Sequence, residues 1–166
     1  MRKFLNVSKQ RQKELEEQFP NLIDLVQVNK TKEYTFLAVS IFDHWLTHEE
    51  SMELLADLDA SEIERRTSIF DKFNQLLLEK TEVLTFRFRG LKGDKLKFKS
   101  FVTEQAQSSY IRQTDMGMYK TVLPDFKAVY FEGYDDTNVF YLQDLSVKSF
   151  IESCATKVGL HCLEHW

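Results

Sequence analysis

The stretch LTFRFRGLKGDKLKFKSF, Leu84 to Phe101, gives the clearest sequence-based prediction of the fold. Both of its halves alternate apolar and basic residues with a period of two, which is typical of half-buried β-strands. Between the halves, Leu91, Lys92 and Gly93 fit a three-residue hairpin loop whose last position is left-handed and favours glycine. The stretch therefore predicts an antiparallel β-hairpin.

The register of this hairpin follows from the parity of its residues. With Gly90 opposite Asp94, the apolar side chains share one face and the cations share the other. The predicted apolar pairs are Phe88 with Leu96 and Phe86 with Phe98. Like charges directly opposite one another destabilise a sheet, so we expect the positive face to meet a negative partner, either an acidic helix of the protein itself or an external surface. An ordinary solvated sheet face is the alternative. The predicted partner-binding residues are Arg87, Arg89, Lys92, Lys95, Lys97 and Lys99.

Further strands are predicted on the C-terminal side of the hairpin. Residues 118–123 have strand character up to Pro124, and a second hairpin pairs 127–132 with 137–142 around a polar turn. The arm 127–132 is apolar on both faces, which predicts a strand inside the sheet.

Helices are interspersed with these strands. Residues 103–113 favour a short helix, and a last helix is predicted from Val147 to Val158. Ser146 is its expected N-cap and Gly159 its left-handed end. Residues 160–166 add a final strand.

Helices are predicted throughout the N-terminal half. Ser8 caps a first helix that ends near Gln18, and a second short helix starts at Pro20. From Lys32 to Leu46 the apolar residues surround most of the helical wheel, which predicts a helix in the middle of the core. Two more helix starts are predicted by the capping boxes of Thr47 with Glu50 and of Ser61 with Glu64.

Together these elements predict one α+β domain over residues 1–166. In it, a helical N-terminal half packs on a mostly antiparallel sheet of four to five strands, with a further helix near the C-terminus.

The charge of the chain is segregated along its length. The net charge is −4, yet residues 81–130 carry 9 basic and 5 acidic side chains, between two acidic ends. Two cysteines are too few for a disulfide framework, and no apolar run approaches the roughly 20 residues that cross a bilayer. We therefore expect a cytoplasmic protein without a membrane partner.

Three groups of residues resemble metal ligands or paired carboxylates in type. His44 and His48 stand four residues apart, but the capping box at Thr47 would place them on different elements. The second group, Cys154, His161, Cys162 and His165, has a spacing that is poor for zinc ligands. The third group, Glu132, Asp135 and Asp136, has the acidic composition that is usual in turns, and we call it the acidic turn. We assign no metal to the His44 and His48 pair or to the acidic turn, and the cysteine and histidine group stays open.

Three functions remain open at this point. We favour a small non-catalytic accessory protein that binds an acidic partner surface through the basic hairpin, because segregated charge favours steered association. A nucleic-acid-binding protein using the same hairpin is the first alternative, although the acidic balance of the chain counts against it. The second alternative is a small-ligand binder or enzyme with a pocket between helices and sheet, where His44, Trp45 or the acidic turn would converge.

The sequence contains no recognisable catalytic signature. It has no phosphate loop, dinucleotide fingerprint or nucleophile elbow. We therefore predict no catalytic residue and no cofactor, and the oligomeric state stays open.

Overall fold

The structure, a computed structural model, describes residues 1–27 and 31–164. Within these residues the strands are β1 (Phe4–Asn6), β2 (Thr35–Ser40), β3 (Leu84–Arg89), β4 (Lys95–Phe101), β5 (Lys120–Leu123), β6 (Ala128–Phe131), β7 (Thr137–Leu142) and β8 (His161–Leu163). They form one antiparallel sheet in the order β1-β4-β3-β5-β6-β7-β2-β8. The α-helices are α1 (Lys9–Gln18), α2 (Leu22–Val26), α3 (His48–Leu54), α4 (Ala60–Leu78), α5 (Glu104–Tyr110) and α6 (Lys148–Val158).

The sheet is larger than the sequence predicted. The α+β class is confirmed, but the expectation of four to five strands is wrong, because the described residues form eight. The helix predicted from Lys32 to Leu46 is also wrong, since this segment holds strand β2 followed by bends. The last four residues of β2 are buried, and an apolar run buried on all sides has no periodicity that separates a strand from a helix.

Helices cover both faces of the sheet. One face, which we call the α1 face, packs on α1 and α2 through a cluster that includes Leu15, Leu22 and Val129. The opposite face, the α4 face, packs on α4 and α6 through a cluster that includes Phe73 and Ile151. The N-terminal helices therefore do not form one half of the molecule, as predicted, but divide between the two faces.

Several helix ends agree with the sequence signals. The Ser8 hydroxyl accepts a hydrogen bond from the Arg11 backbone N–H at 3.1 Å, and Gly159 ends α6 with a φ of 86°. The capping box of Thr47 and Glu50 is present at the start of α3. These three predictions are confirmed because each depends on a short-range hydrogen bond or on backbone sterics.

Two predicted caps are wrong. Asp59, not Ser61, is the N-cap of α4, and its carboxylate accepts from the Glu62 N–H at 2.8 Å. Asp144, not Ser146, accepts at the turn that precedes α6. In both places an aspartate two residues upstream offers a cap as strong as the serine.

The basic hairpin has the predicted register. Phe86 pairs with Phe98 and Arg87 with Lys97, and Gly93 closes the loop with a φ of 61°. Strand β1 covers only one end of the outer edge of β4. Further along this edge, the Gln12 side-chain amide donates to the Leu96 carbonyl at 2.9 Å and accepts from the Phe98 N–H at 3.0 Å. The outer edge of β4 is thus hydrogen-bonded to β1 and to Gln12.

The second predicted hairpin is also present, as β6 and β7. Strand β6 lies between β5 and β7 with all four residues buried, as its apolar faces predicted. At its turn Gly133 has no space for a side chain, because a Cβ there would lie 2.0 Å from the Thr137 carbonyl oxygen.

No helix within residues 1–27 and 31–164 is both long enough and apolar enough to cross a bilayer.

Candidate functional site

The hairpin of β3 and β4 places its cations on the α4 face. This position follows from Thr85, whose hydroxyl lies 2.8 Å from the Tyr110 hydroxyl of α5 on that face. Alternate residues of a strand point the same way, so Arg87 and Arg89 share this face with Thr85. Helix α5 covers the Thr85 end of the hairpin, while the side chains beyond it are exposed.

We call this surface the basic face, defined by Arg87, Arg89, Lys92, Lys95, Lys97 and Lys99, of which Lys99 is half-buried and the other five are exposed. Arg87 lies directly opposite Lys97, and Arg89 lies directly opposite Lys95. Within the described part of the chain, none of the six cations forms an ion pair with a carboxylate. Among the described residues, therefore, no acidic helix of the protein itself supplies ion-pair partners for them.

Strand β1 adds to the basic face. The Arg87 guanidinium lies 5.1 Å from the centroid of the Phe4 ring, and the Lys99 ammonium donates to the Asn6 side chain. The pKa of Lys99 is lowered by burial and then by the nearby positive charges, among them Arg89 and Arg2. Arg2 is a cation that the sequence analysis missed, because only the pairing of β1 with β4 brings it close.

A small recess lies beside the basic face, at the free edge of β4. It has a volume of about 320 Å³, and four cations and no carboxylate line it. These cations are Lys9, Arg89, Lys97 and Lys99. The recess is large enough for a carboxylate side chain or a phosphate, and its electrostatics favour either.

The two predicted histidines lie on different elements. His48 begins α3, whereas His44 precedes its cap and binds Asp43 at 2.6 Å and Glu50 at 2.9 Å through its two ring nitrogens. The hydrogen bonds to Asp43 and then Glu50 raise the pKa of His44. Both ring nitrogens are therefore engaged within the protein.

The acidic turn uses its carboxylates internally. Glu132 accepts hydrogen bonds from the backbone N–H groups of Asp115 at 2.8 Å and Met118 at 2.6 Å, and from the backbone and hydroxyl of Thr114. Asp136 binds the buried Arg66 guanidinium at 2.7 Å. Asp135 is exposed in the turn.

The cysteine and histidine group is only partly described. Cys154 lies buried on α6, and Cys162 is half-buried on β8 beside the exposed His161. Burial raises the pKa of Cys162 to about 11, which disfavours the thiolate that a metal would need. His165 lies outside the described residues. In residues 1–27 and 31–164, no group of three or more His, Cys, Asp or Glu side chains is arranged to hold a metal.

A second candidate site is a cleft of about 620 Å³ on the α1 face, which we call the aromatic cleft. Its floor comes from β5, β6, β7 and β2, and the segment 42–46, the end of α2 and the acidic turn surround it. Six aromatic residues line it, namely Phe36, Phe42, Trp45, Phe131, Tyr134 and Tyr141. His44, Trp45 and the acidic turn all border this cleft.

Comparison with known proteins adds nothing to these two sites. No family model, curated protein or solved structure matches the chain. Any function must therefore be argued from the residues themselves.

Proposed function

We propose that this protein is a non-catalytic binding module that attaches to an acidic protein surface through the basic face. The observation that carries the proposal is the set of six cations on one hairpin, none of which forms an ion pair with a carboxylate among the described residues. Like charges opposite one another cost the fold about 0.2 to 1 kcal/mol per pair. An external anionic surface would remove that cost on binding.

Neighbouring elements hold the base of the hairpin and the outer edge of β4. Strand β5 pairs with β3 at Leu84 and Thr85, β1 pairs with β4 from Lys99 to Phe101, and the Gln12 side chain binds Leu96 and Phe98. The backbone of β4 is therefore positioned before a partner binds, which reduces the entropy lost on association. The recess at the β4 edge would accept one glutamate or aspartate side chain of the partner as an anchor.

The charge of the rest of the chain favours a protein partner over nucleic acid. The net charge is −4, so the phosphate backbone of a long nucleic acid would be repelled beyond the hairpin. A protein surface with a limited acidic patch can meet the basic face alone, and complementary charge speeds such association.

The test compares two charge-matched variants. Arg87→Glu, Arg89→Glu, Lys97→Glu reverses the basic face, whereas Lys72→Glu, Lys80→Glu, Lys157→Glu reverses three exposed lysines elsewhere. Fluorescence anisotropy measures the binding of a short polyglutamate peptide and of mixed DNA and RNA oligomers at low salt. We expect the first variant to lose peptide affinity by about tenfold or more and the second to keep it.

Two results would overturn the proposal. Equal loss of peptide binding in both variants would show that only net charge matters. Tighter binding of the oligomers than of the peptide, with affinity that falls steeply as salt rises, would replace it with the nucleic-acid alternative.

A further inference from the structure

The aromatic cleft has the size and walls of a small-molecule site. Its volume of about 620 Å³ lies within the range of about 300 to 1,000 Å³ that is usual for ligand pockets. Phe36 stacks on Trp45 with ring centroids 6.2 Å apart, and Tyr141 meets both Phe36 and Phe131 edge to face at 5.9 and 5.8 Å. Such rings form flat apolar walls that favour a planar ligand body.

Most polar groups around the cleft are already bonded within the protein. Glu132 accepts from the 114–118 loop, His44 binds two carboxylates, and the Ser40 hydroxyl lies 2.8 Å from the Thr137 hydroxyl. These groups shape the wall and are not available to a ligand without breaking existing bonds.

Lys120 is different from them. It lies opposite Phe131 on β5 and has the parity of the buried Val122, so it points to the apolar α1 face. Across the described residues its ammonium group has neither an ion pair nor a hydrogen bond, although the residue is half-buried in the cleft wall. The carboxylates of Glu132 and Asp135 also line the cleft, but among the described residues neither forms an ion pair with Lys120. A partly buried ammonium group without an ion pair is unfavourable, and a bound anion would supply the partner.

Tyr141 supplies a second free polar group. It lies on β7, two strands from Lys120 and on the same face, and two residues along from Val139, which aligns with Lys120 through Phe131, so the two backbones are about 12 Å apart. Burial raises the pKa of its hydroxyl, which is therefore a neutral donor at pH 7, and it has no hydrogen-bond partner in the described residues. An acceptor on the far side of a ligand would reach it.

We propose that the aromatic cleft binds a small planar aromatic or otherwise apolar molecule that carries an anionic group, with Lys120 paired to the anion and Tyr141 donating to a polar atom at the other end. A helix is too large for this volume. The site is separate from the basic face, because Lys120 projects from the opposite face of the sheet.

Two dyes that share their rings test the proposal. Anilinonaphthalene sulfonate carries an anion, and phenyl-naphthylamine is the same ring system without it. Titration followed by dye fluorescence gives each affinity, and the stoichiometry must reach one dye per chain. We expect the anionic dye to bind about tenfold more tightly, which corresponds to about 1.4 kcal/mol.

Four variants show whether the dyes bind in the cleft or elsewhere on the protein. Lys120→Gln should remove the preference for the anionic dye, and Tyr141→Phe should weaken both dyes by a smaller factor. Lys72→Gln and the variant with the reversed basic face should bind as the unmodified protein does, because both changes lie outside the cleft. Thermal unfolding checks that Lys120→Gln remains folded.

Amide chemical shifts locate the dye independently of its affinity. They should change at Lys120, Phe131 and Tyr141. Equal affinity for the two dyes, an unchanged preference in Lys120→Gln, or shifts confined to residues outside the aromatic cleft would each overturn the proposal.

Discussion

The two central hairpins of the sheet treat charge in opposite ways. The hairpin of β3 and β4 exposes cations that have no carboxylate partner in the described part of the chain, whereas the hairpin of β6 and β7 buries Glu132 and Asp136 and satisfies both. Charges bonded inside a protein belong to its stability, and removing their partners is costly. Charges without an internal partner cost the fold little when they are changed, so they are available for binding.

The strongest test of this contrast is Asp136→Asn. Asparagine tolerates the positive φ of 52° at this position, so the variant removes charge without new backbone strain. It removes the negative charge that faces the buried Arg66 guanidinium, which keeps its ion pair with Glu62 at 2.8 Å and can still donate to the amide oxygen. We therefore expect a loss of about 2 kcal/mol in the free energy of unfolding, measured by urea denaturation.

The matched control lies on the other hairpin. Arg87→Gln should change the unfolding free energy by less than about 0.5 kcal/mol, because Arg87 is exposed and has no ion pair among the described residues. Similar losses in the two variants would contradict the contrast between the hairpins.

Asp115, in the loop that contacts the hairpin of β6 and β7, should make the stability of the protein sensitive to pH. Burial first, and then the carboxylates of Asp136, Asp135 and Glu132, raise its pKa to about 6, against the hydrogen bond from the Asp136 N–H, which lowers it. Since the unfolded pKa is about 3.9, the native state binds the proton more tightly. This group therefore contributes stability below about pH 4, and the contribution is lost as the pH rises to about 6.

The variant Asp115→Asn keeps the acceptor oxygen and suits the positive φ of 58°. Because the side chain is half exposed, we expect a gain of only about 1 kcal/mol at pH 7 and no gain at about pH 4. Urea denaturation across this range measures it. A gain that does not depend on pH would show that the carboxyl group is not the cause.

The smallest effect is expected on the basic face. Lys97→Glu places an anion directly opposite Arg87 and replaces repulsion with attraction across the strands. We expect the unfolding free energy to rise by about 0.5 kcal/mol while polyglutamate affinity falls. A variant that is less stable as well as weaker in binding would indicate that Lys97 has a structural role.

The basic hairpin was predictable because its information is local. Parity assigns Phe86 and Arg87 to opposite faces, and the glycine at position 93 fixes the loop, so strand type and register follow without knowledge of other elements. The capping box at Thr47 was predictable for the same reason, since its two hydrogen bonds join residues three apart.

The missed strands depend on distant residues. Strand β1 has three residues, which is too short for a period to appear in the sequence, and it is defined by pairing with β4. The equally short β8 was not missed, because it lies within the strand predicted over residues 160–166. Strand β2 lies between β7 and β8, and its burial removed the alternation that would have distinguished it from a helix.

The sequence analysis named His44, Trp45 and the acidic turn as borders of one possible pocket, but the rest of the aromatic cleft was not predictable for a related reason. Its walls come from four strands, the end of α2 and the segment 42–46, so no single stretch of sequence contains them. Lys120 gave no signal of its own, because the face it points to follows only from the pairing of β5 with β6.

The Gln12 side chain has a consequence for how any partner can attach. By bonding Leu96 and Phe98 it takes the place of a neighbouring strand, so a foreign segment cannot extend the sheet at these positions without displacing it. A partner at this edge of β4 must then bind through side chains, so the charge of its surface decides whether it binds. Because the Gln12 side chain occupies this edge of β4, it also protects the protein against edge-to-edge aggregation.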